Sequence, residues 1–236
     1  ISVKVTSGSG LAQIANTGGN QTFVSTGGGL QVQANGGSGS AKVTASGAQT
    51  FASLPATGVR FVEVTTAALA TGDAELTAGG NQTIHTTNGT VPGFSLKVVS
   101  FGTGTAKIVA GANQLIEADY PELMQGVRDG RIFIGDPTGN GPAFIQGVNQ
   151  DIFARAIIIR GGATAASTAK LDASGTQTIS ILTPSAIPAG ITVAGGAGGS
   201  ASLDPTVQTI VSNGQIQVLG GGGLNTFAEI FSGGPQ

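Results

Sequence analysis

A chain of 236 residues with a formal net charge of −2 and only 9% charged side chains is a poor match for nucleic acid or an anionic membrane surface. Its 39% apolar content excludes disorder, and its 41 glycines follow no three-residue period, which excludes a collagen helix. Cys is absent, so disulfides and thiolate metal sites are excluded, and no apolar run reaches the ~18 residues a membrane helix needs.

Read in chain order, two kinds of short apolar alternation take turns. The chain opens on Ile1, Val3 and Val5, spaced by two as on a strand, and Ala12 and Ile14 then lead to Gln21. Leu30 and Val32 alternate next, followed by Ala41-Lys42-Val43 and Gln49. The same order returns as Val62 and Val64, Ala74-Glu75-Leu76, Gln82; then as Leu96 and Val98, Ala106-Lys107-Ile108, Gln114. Residues 118–125 are the best candidate for a helix, which Pro121 limits to about a turn. Ile132 and Ile134 resume the pattern before Gln150; Ile157 and Ile159 then precede Ala169-Lys170-Leu171 and Gln177. Ile191 and Val193 precede Gln208, and Ile216 and Val218 precede Ala228-Glu229-Ile230 and Gln236. β-branched residues and a period of two identify these segments as strands.

The recurring phrase is Ala-x-apolar followed by Gln-Thr-Ile/Phe, and its spacing of about 30 residues is the mark of a repeat array. From each Ala to its Gln the distance is nearly constant. From Gln to the next Ala it stretches between Gln114 and Ala143 and contracts between Gln150 and Ala169. Glycine clusters such as Gly27–Gly29, Gly36-Gly37, Gly161-Gly162, Gly195-Gly196 and Gly220–Gly223 separate the strands, as expected for corners needing positive φ. A unit of two or three short strands cannot bury its apolar side alone, but stacked units bury a continuous core. The expected fold is all-β: a β-solenoid-like stack of Gly-rich repeats in one elongated domain, residues 1–236. The longest insertion falls at about 115–131. The alternative is an antiparallel β-sandwich or barrel built from the same strands.

The repeated glutamines Gln21, Gln49, Gln82, Gln114, Gln150, Gln177, Gln208 and Gln236 admit two readings. Pointing inward, they would form an amide ladder, each donating and accepting. Pointing outward, they are ordinary polar strand residues. Thr follows the Gln in five copies (Thr22, Thr50, Thr83, Thr178, Thr209) but gives way to Leu115 and Asp151 in two. The interruption argues against a regular Thr array of the kind that binds ice.

Signals for catalysis are thin. His85 stands alone and reads as a solvated strand or loop residue, and no nucleophile elbow, zinc-protease motif or P-loop is present. Charge concentrates in Glu117, Asp119, Glu122, Arg128, Asp129, Arg131 and Asp136, beside the turn-rich spacer Pro137–Pro142. A solvated, salt-bridged loop is the plainest account of them. Asp119, Glu122 and Asp129 would alternatively supply oxygens to Ca2+, and paired carboxylates would serve acid–base chemistry on a glycosidic bond. The expectation is no catalytic residue and no cofactor.

The two ends of the chain differ. Residues 1–14 align without a gap on residues 30–43, so the chain opens in mid-repeat, at the second strand of a unit. Ala228 to Gln236 supplies the first strand and stops at the Gln. The half-repeats are complementary, and Ile1, Val3 and Val5 at one end and Phe227, Ile230 and Phe231 at the other are apolar. An uncovered strand edge is a template for another chain, and a head-to-tail contact that does not close yields an open filament. Pairing of the two half-repeats within one chain is the other reading, and a trimmed chain a third.

The Gly/Ala/Thr/Ser-rich units with Gly-x-Gln-Thr-Ile and Leu-x-Val-x-Gly-Gly resemble the degenerate repeats of bacterial secreted β-solenoid proteins, the filamentous adhesins and surface-fibre subunits. The resemblance covers nearly the whole chain through a loose motif and transfers no catalytic residue. It implies an exported, surface-associated structural protein. A start at Ile1 rather than Met fits removal of a signal peptide. The functional expectation is an extracellular, self-assembling fibre subunit whose main partner is itself, with glycans or a cell surface as further partners. A monomeric adhesin or carbohydrate-binding module is the alternative, and a β-helix polysaccharide enzyme is the third reading.

Overall fold

The computed structural model describes residues 1–24, 28–52, 60–86, 94–118, 130–181 and 190–234. The chain winds as a β-solenoid. Its first turn is β1 (Ser2–Val5), β2 (Leu11–Asn16) and β3 (Gln21–Val24); its second is β4 (Leu30–Ala34), β5 (Ser40–Ala45) and β6 (Gln49–Ala52). The third is β7 (Val62–Thr66), β8 (Ala74–Ala78) and β9 (Gln82–His85), and the fourth is β10 (Leu96–Ser100), β11 (Ala106–Ala110) and β12 (Asn113–Glu117). β13 (Arg131–Ile134), β14 (Ala143–Gly147) and β15 (Asn149–Ala154) follow. Then β16 (Ala156–Arg160) is followed by one long strand, β17 (Ala169–Ile181), and β18 (Gly190–Ala194) by β19 (Ala201–Ser212). β20 (Gln215–Leu219) and β21 (Ala228–Ile230) complete the series.

Each turn contributes its first strand to an eight-stranded sheet in the order β1-β4-β7-β10-β13-β16-β18-β20. The remaining strands form the opposite wall, where β17 and β19 run through both remaining sides of a turn. A register shift between Ala173 and Thr176 marks the place where β17 would otherwise break into two strands. All named strand pairs are parallel, which settles the choice between solenoid and antiparallel sandwich or barrel. The pairing Ser2↔Gln31, Ala12↔Ala41 and Ile14↔Val43 follows the gapless alignment of residues 1–14 on 30–43.

The core lies between the walls. Leu30, Val62, Leu96, Ile132, Ile157 and Ile191 form one inward column and are fully buried. Val43, Leu76, Ile108, Ile145, Leu171 and Leu203 face them from the other wall, also fully buried. Like stacks on like, because every turn presents the same side of a two-residue period to the same place. Each such side chain contributes about 1.5–3 kcal/mol relative to exposure. Polar neighbours alternate outward, as the half-buried Gln31 and Gln33 do between the buried residues of β4.

Positive φ is rarer at the corners than the glycine clusters suggest. Gly37 does require it, at φ 66°, and a Cβ there would strike the carbonyl oxygen of Gly8 one turn below. Gly104 is demanded by proximity alone: its Cβ would enter the carbonyl of Gly72 in the preceding turn. Successive corners are stacked as closely as the strands, so a side chain on one collides with the backbone of the next. The helix candidate at 118–125 lies outside the described residues apart from Ala118, which is buried. Among the described residues no helix is long and apolar enough to cross a membrane.

Candidate functional site: the amide ladder and the end faces

From Gln21 to Gln208, Gln stands near the start of the third side and points inward, with an outward residue, mostly Thr, and then an inward Ile or Phe after it; β9 shows this alternation over Gln82–His85. The parallel register places Gln21, Gln49, Gln82, Gln114, Gln150, Gln177 and Gln208 in one column. Gln49 Nε2 donates to Gln21 Oε1 at 2.9 Å, Gln82 to Gln49 at 2.9 Å, and Gln114 to Gln82 at 2.7 Å. The series continues from Gln150 to Gln114 at 2.8 Å, Gln177 to Gln150 at 2.6 Å and Gln208 to Gln177 at 2.9 Å. All six bonds run one way, with every amide N–H directed toward the first turn. The Gln side chains from Gln49 to Gln177 are at most 2% exposed. A buried amide without a partner costs about 1–3 kcal/mol, so the ladder is what makes an inward Gln tolerable on each turn. Gln236 lies outside the described residues.

A second column runs beside the first at the preceding corner. Asn20 Oδ1 accepts the backbone N–H of Ala48 at 2.9 Å, and Asn81 Oδ1 accepts that of Asn113 at 3.2 Å. Asn149 Nδ2 donates to Asn113 Oδ1 at 3.0 Å, and Asn149 Oδ1 accepts from Thr176 N at 3.0 Å. These side chains satisfy corner amides that the strand ladders leave unpaired. The signal was in the sequence as Asn immediately before Gln at Asn20, Asn81, Asn113 and Asn149.

The outward face of the second side carries a short charge column. Glu75 Oε1 lies 3.2 Å from both Lys42 Nζ and Lys107 Nζ. On the first side, Glu63 accepts from Gln31 and Gln33 and pairs with Lys97 at 3.3 Å. Asp172 and Asp204 are neighbours in register. Burial raises the Asp172 pKa above the ordinary carboxylate range, and the like charge of Asp204 adds to it; Lys170 and the Gln146 amide, 3.2 Å away, pull the other way. Neither aspartate stood out in the sequence, because the pair forms only when turns stack. Outside the third side, Thr22, Thr50 and Thr83 are consecutive, Leu115 and Asp151 follow, and Thr178 and Thr209 resume the column.

His85 is not the solvated residue its isolation suggests. Its Nε2 lies 2.7 Å from Glu117 Oε2 on the next turn, and both side chains are about four-fifths buried. Glu117 thereby leaves the charged segment for a strand-to-strand pair. Asp136 folds over its own turn, accepting from the N–H and hydroxyl of Thr138 at 2.9 and 2.6 Å. Arg131 begins β13. Asp119, Glu122, Arg128 and Asp129, the carboxylates considered for Ca2+ among them, lie outside the described residues. Among the described residues no group of three or more His, Asp or Glu converges as metal ligands would.

At the first turn, Ile1, Leu11 and Val24 are 45%, 60% and 49% exposed. The Ile1 ammonium donates to Gly29 O at 2.8 Å. Val3 and Val5 point into the core and are buried, on a strand that pairs with β4 alone among the described residues. At the last turn, Phe227 and Phe231 are about half exposed, as are Ile216, Val218, Leu219 and Val211, while Ile230 is half-buried. Near this end a cavity of about 420 Å3 is lined by Gln208, Thr209, Ile210, Ile216 and Ile230. β1, β2 and β3 at one end, and β20 and β21 at the other, have a strand on one side only among the described residues.

What this arrangement offers chemically is a strongly directional stacking surface: parallel edges, continuous apolar columns and a one-way amide ladder. Comparison with known proteins places it in no group: no family model, no curated protein and no solved structure matches the chain.

Proposed function

We propose that the chain is a structural protein, a fibre subunit whose solenoid stacks head to tail on further copies of itself. The observation that supports this reading is the parallel register that carries the first- and second-side columns from the first turn to the last. Carried one turn further, β20 of one copy meets β1 of the next and β21 meets β2. Ile216 would then stack on Ile1, Val218 on Val3, Ala228 on Ala12 and Ile230 on Ile14, which repeats the like-on-like contacts of the core. Glu229 would meet Gln13, whose amide N–H is a suitable donor for a carboxylate.

Polarity favours the same arrangement. Parallel edges and amides that all donate toward the first turn continue only if last face meets first face. Two like faces would oppose strand directions, and two first faces would also set amide donors against donors. Sparse charge and dense Gly and Ala suit close axial packing, and the absence of Cys leaves cohesion to hydrogen bonds and apolar contact. An exported, surface-associated setting belongs to the same proposal and rests on the Thr-, Ser-, Asn- and Gly-rich polar composition; antibody labelling of intact source cells tests it.

The experiment for assembly is negative-stain microscopy of the purified chain beside a variant lacking residues 1–6. The full chain is expected to form unbranched filaments, and the variant to keep its β-rich circular dichroism but remain short. Filaments of unchanged length from the variant would sink the proposal.

A further inference from the structure

We propose that Asn35 is a self-modification site, where the exposed Asn35-Gly36 step closes to a succinimide and reopens as isoaspartate, loosening the corner between β4 and β5. An Asn followed by Gly is prone to this cyclisation, because Gly sets no Cβ in the way of the approaching side chain. The backbone nitrogen of Gly36 attacks Asn35 Cγ, the Cγ–Nδ2 bond breaks, and ammonia leaves with the amide proton. Water then adds to either carbonyl of the ring. Opening at Cγ gives Asp. Opening at the main-chain carbonyl gives isoaspartate, in which the chain runs through the former side chain. The reaction consumes only water and needs no second copy of the chain.

The structure sorts the Asn-Gly steps of the sequence, which fall at Asn35, Asn88, Asn140 and Asn213. Asn35 stands just past the end of β4 and is exposed. Neither its side chain nor the Gly36 N–H makes a hydrogen bond among the described residues, so both reacting groups are unengaged. At Asn140 the leaving group is held: Nδ2 donates to Phe101 O at 3.1 Å. Gly141 beside it is buried, and so closely packed that a Cβ would strike the Gly104 carbonyl. At Asn213 the attacking nitrogen is held, because the Gly214 N–H donates to Ser212 Oγ at 3.1 Å. Asn88 lies outside the described residues.

The corner that follows Asn35 has no slack. The Asn35 N–H is bound to Val5 O at 2.8 Å and the Gly39 N–H to Gly8 O at 2.9 Å, which ties both ends of the corner to the turn below. Between them Gly37 holds φ 66°, and its carbonyl accepts the Thr71 N–H at 2.8 Å and the Gly72 N–H at 3.3 Å from the turn above. Isoaspartate inserts one methylene into the main chain two residues before that carbonyl, and one negative charge beside it. A longer chain between the same two anchors moves Gly37 out of line with its donors.

The test is peptide mapping by mass spectrometry of the purified full chain aged at mildly alkaline pH, with an isoaspartate-specific methyltransferase as reporter. Conversion is expected at Asn35 at least about tenfold faster than at Asn140 or Asn213. Gly36→Ala adds a methyl that meets only the Thr6 carbonyl, at the ordinary contact distance of 3.6 Å, so the variant should fold normally. It should convert at least about tenfold more slowly, since the methyl obstructs the attack. In the aged chain, hydrogen exchange at the Thr71 and Gly72 amides should quicken by about tenfold. Asn35→Asp adds the charge without the methylene and should leave that exchange unchanged. Conversion of Asn140 or Asn213 ahead of Asn35, or equal rates in Gly36→Ala, overturns the inference. So does an aged chain whose Thr71 and Gly72 amides exchange as slowly as before, or equal quickening in Asn35→Asp.

Discussion

Replacing Gln114 by Ala removes the middle of the amide ladder, and the structure sets the size of the effect. Gln114 is 2% exposed, donates to Gln82 at 2.7 Å and accepts from Gln150 at 2.8 Å. The substitution strands Gln82 Oε1 and Gln150 Nε2 in the interior, at about 1–3 kcal/mol each. The smaller side chain also leaves a partial cavity, so a total near 4 kcal/mol is expected, with Tm lower by about 10 °C for a chain of this size. Gln114→Leu keeps most of the volume and still strands both neighbours, so it should lose a similar amount and separate the hydrogen bonds from the cavity. Gln21→Ala breaks one bond at a half-exposed end and should cost about 1 kcal/mol. The assay is urea unfolding followed by far-UV circular dichroism, read turn by turn if the transition is broad, because stacked repeats unfold by neighbour contacts. Equal losses for Gln114→Ala and Gln21→Ala, or a Gln114→Leu variant as stable as the parent, would refute the ladder as a source of stability.

Three further outcomes follow from the same structure. Asp172→Asn should raise Tm at pH 7: the folded-state pKa is raised, so ionisation disfavours the fold, and this penalty grows as pH rises from the ordinary carboxylate range through the folded value. Below that range both states are protonated and the gain should vanish; a gain that persists at pH 2 would contradict this. Gly37→Ala should cost about 1–3 kcal/mol in chemical denaturation, because φ is 66° and the added methyl strikes the Gly8 carbonyl. Ile108→Ala empties a fully buried place in the core column and should cost about 2–5 kcal/mol, whereas Lys42→Gln on the outer face, which leaves Glu75 paired with Lys107, should cost under about 1 kcal/mol and lose its effect in high salt.

How far the sequence could be read depended on whether a feature is carried by spacing along the chain or by contact between turns. Alternation by two identified the strands, and the recurrence of Gln with an apolar residue two places on identified the turn. Both are local patterns, and the parallel register converts them directly into columns. Contacts across turns were not legible in the same way. His85 reads as solitary because Glu117, its partner, is a whole turn away, and Asp172 and Asp204 become a pair only when β17 lies on β19. The Asn column was visible as Asn before Gln, but its role depends on a corner geometry that composition does not reveal. Alternation turns Val3 and Val5 inward, where the turn's own walls bury them, and leaves Leu11 and Val24 exposed on that face. Corner glycines were read for their φ, yet Gly104 is fixed by the carbonyl of Gly72 beneath it.

The axial rise of the assembled filament, measured by cryo-electron microscopy of the full chain, tests head-to-tail stacking most directly. Eight first-side strands at a spacing of about 4.8 Å give a rise of about 38 Å per copy, with strands running across the filament axis and one polarity throughout. Isolated rods of about that length at all concentrations, or fibres whose copies meet with opposed polarity, would contradict it.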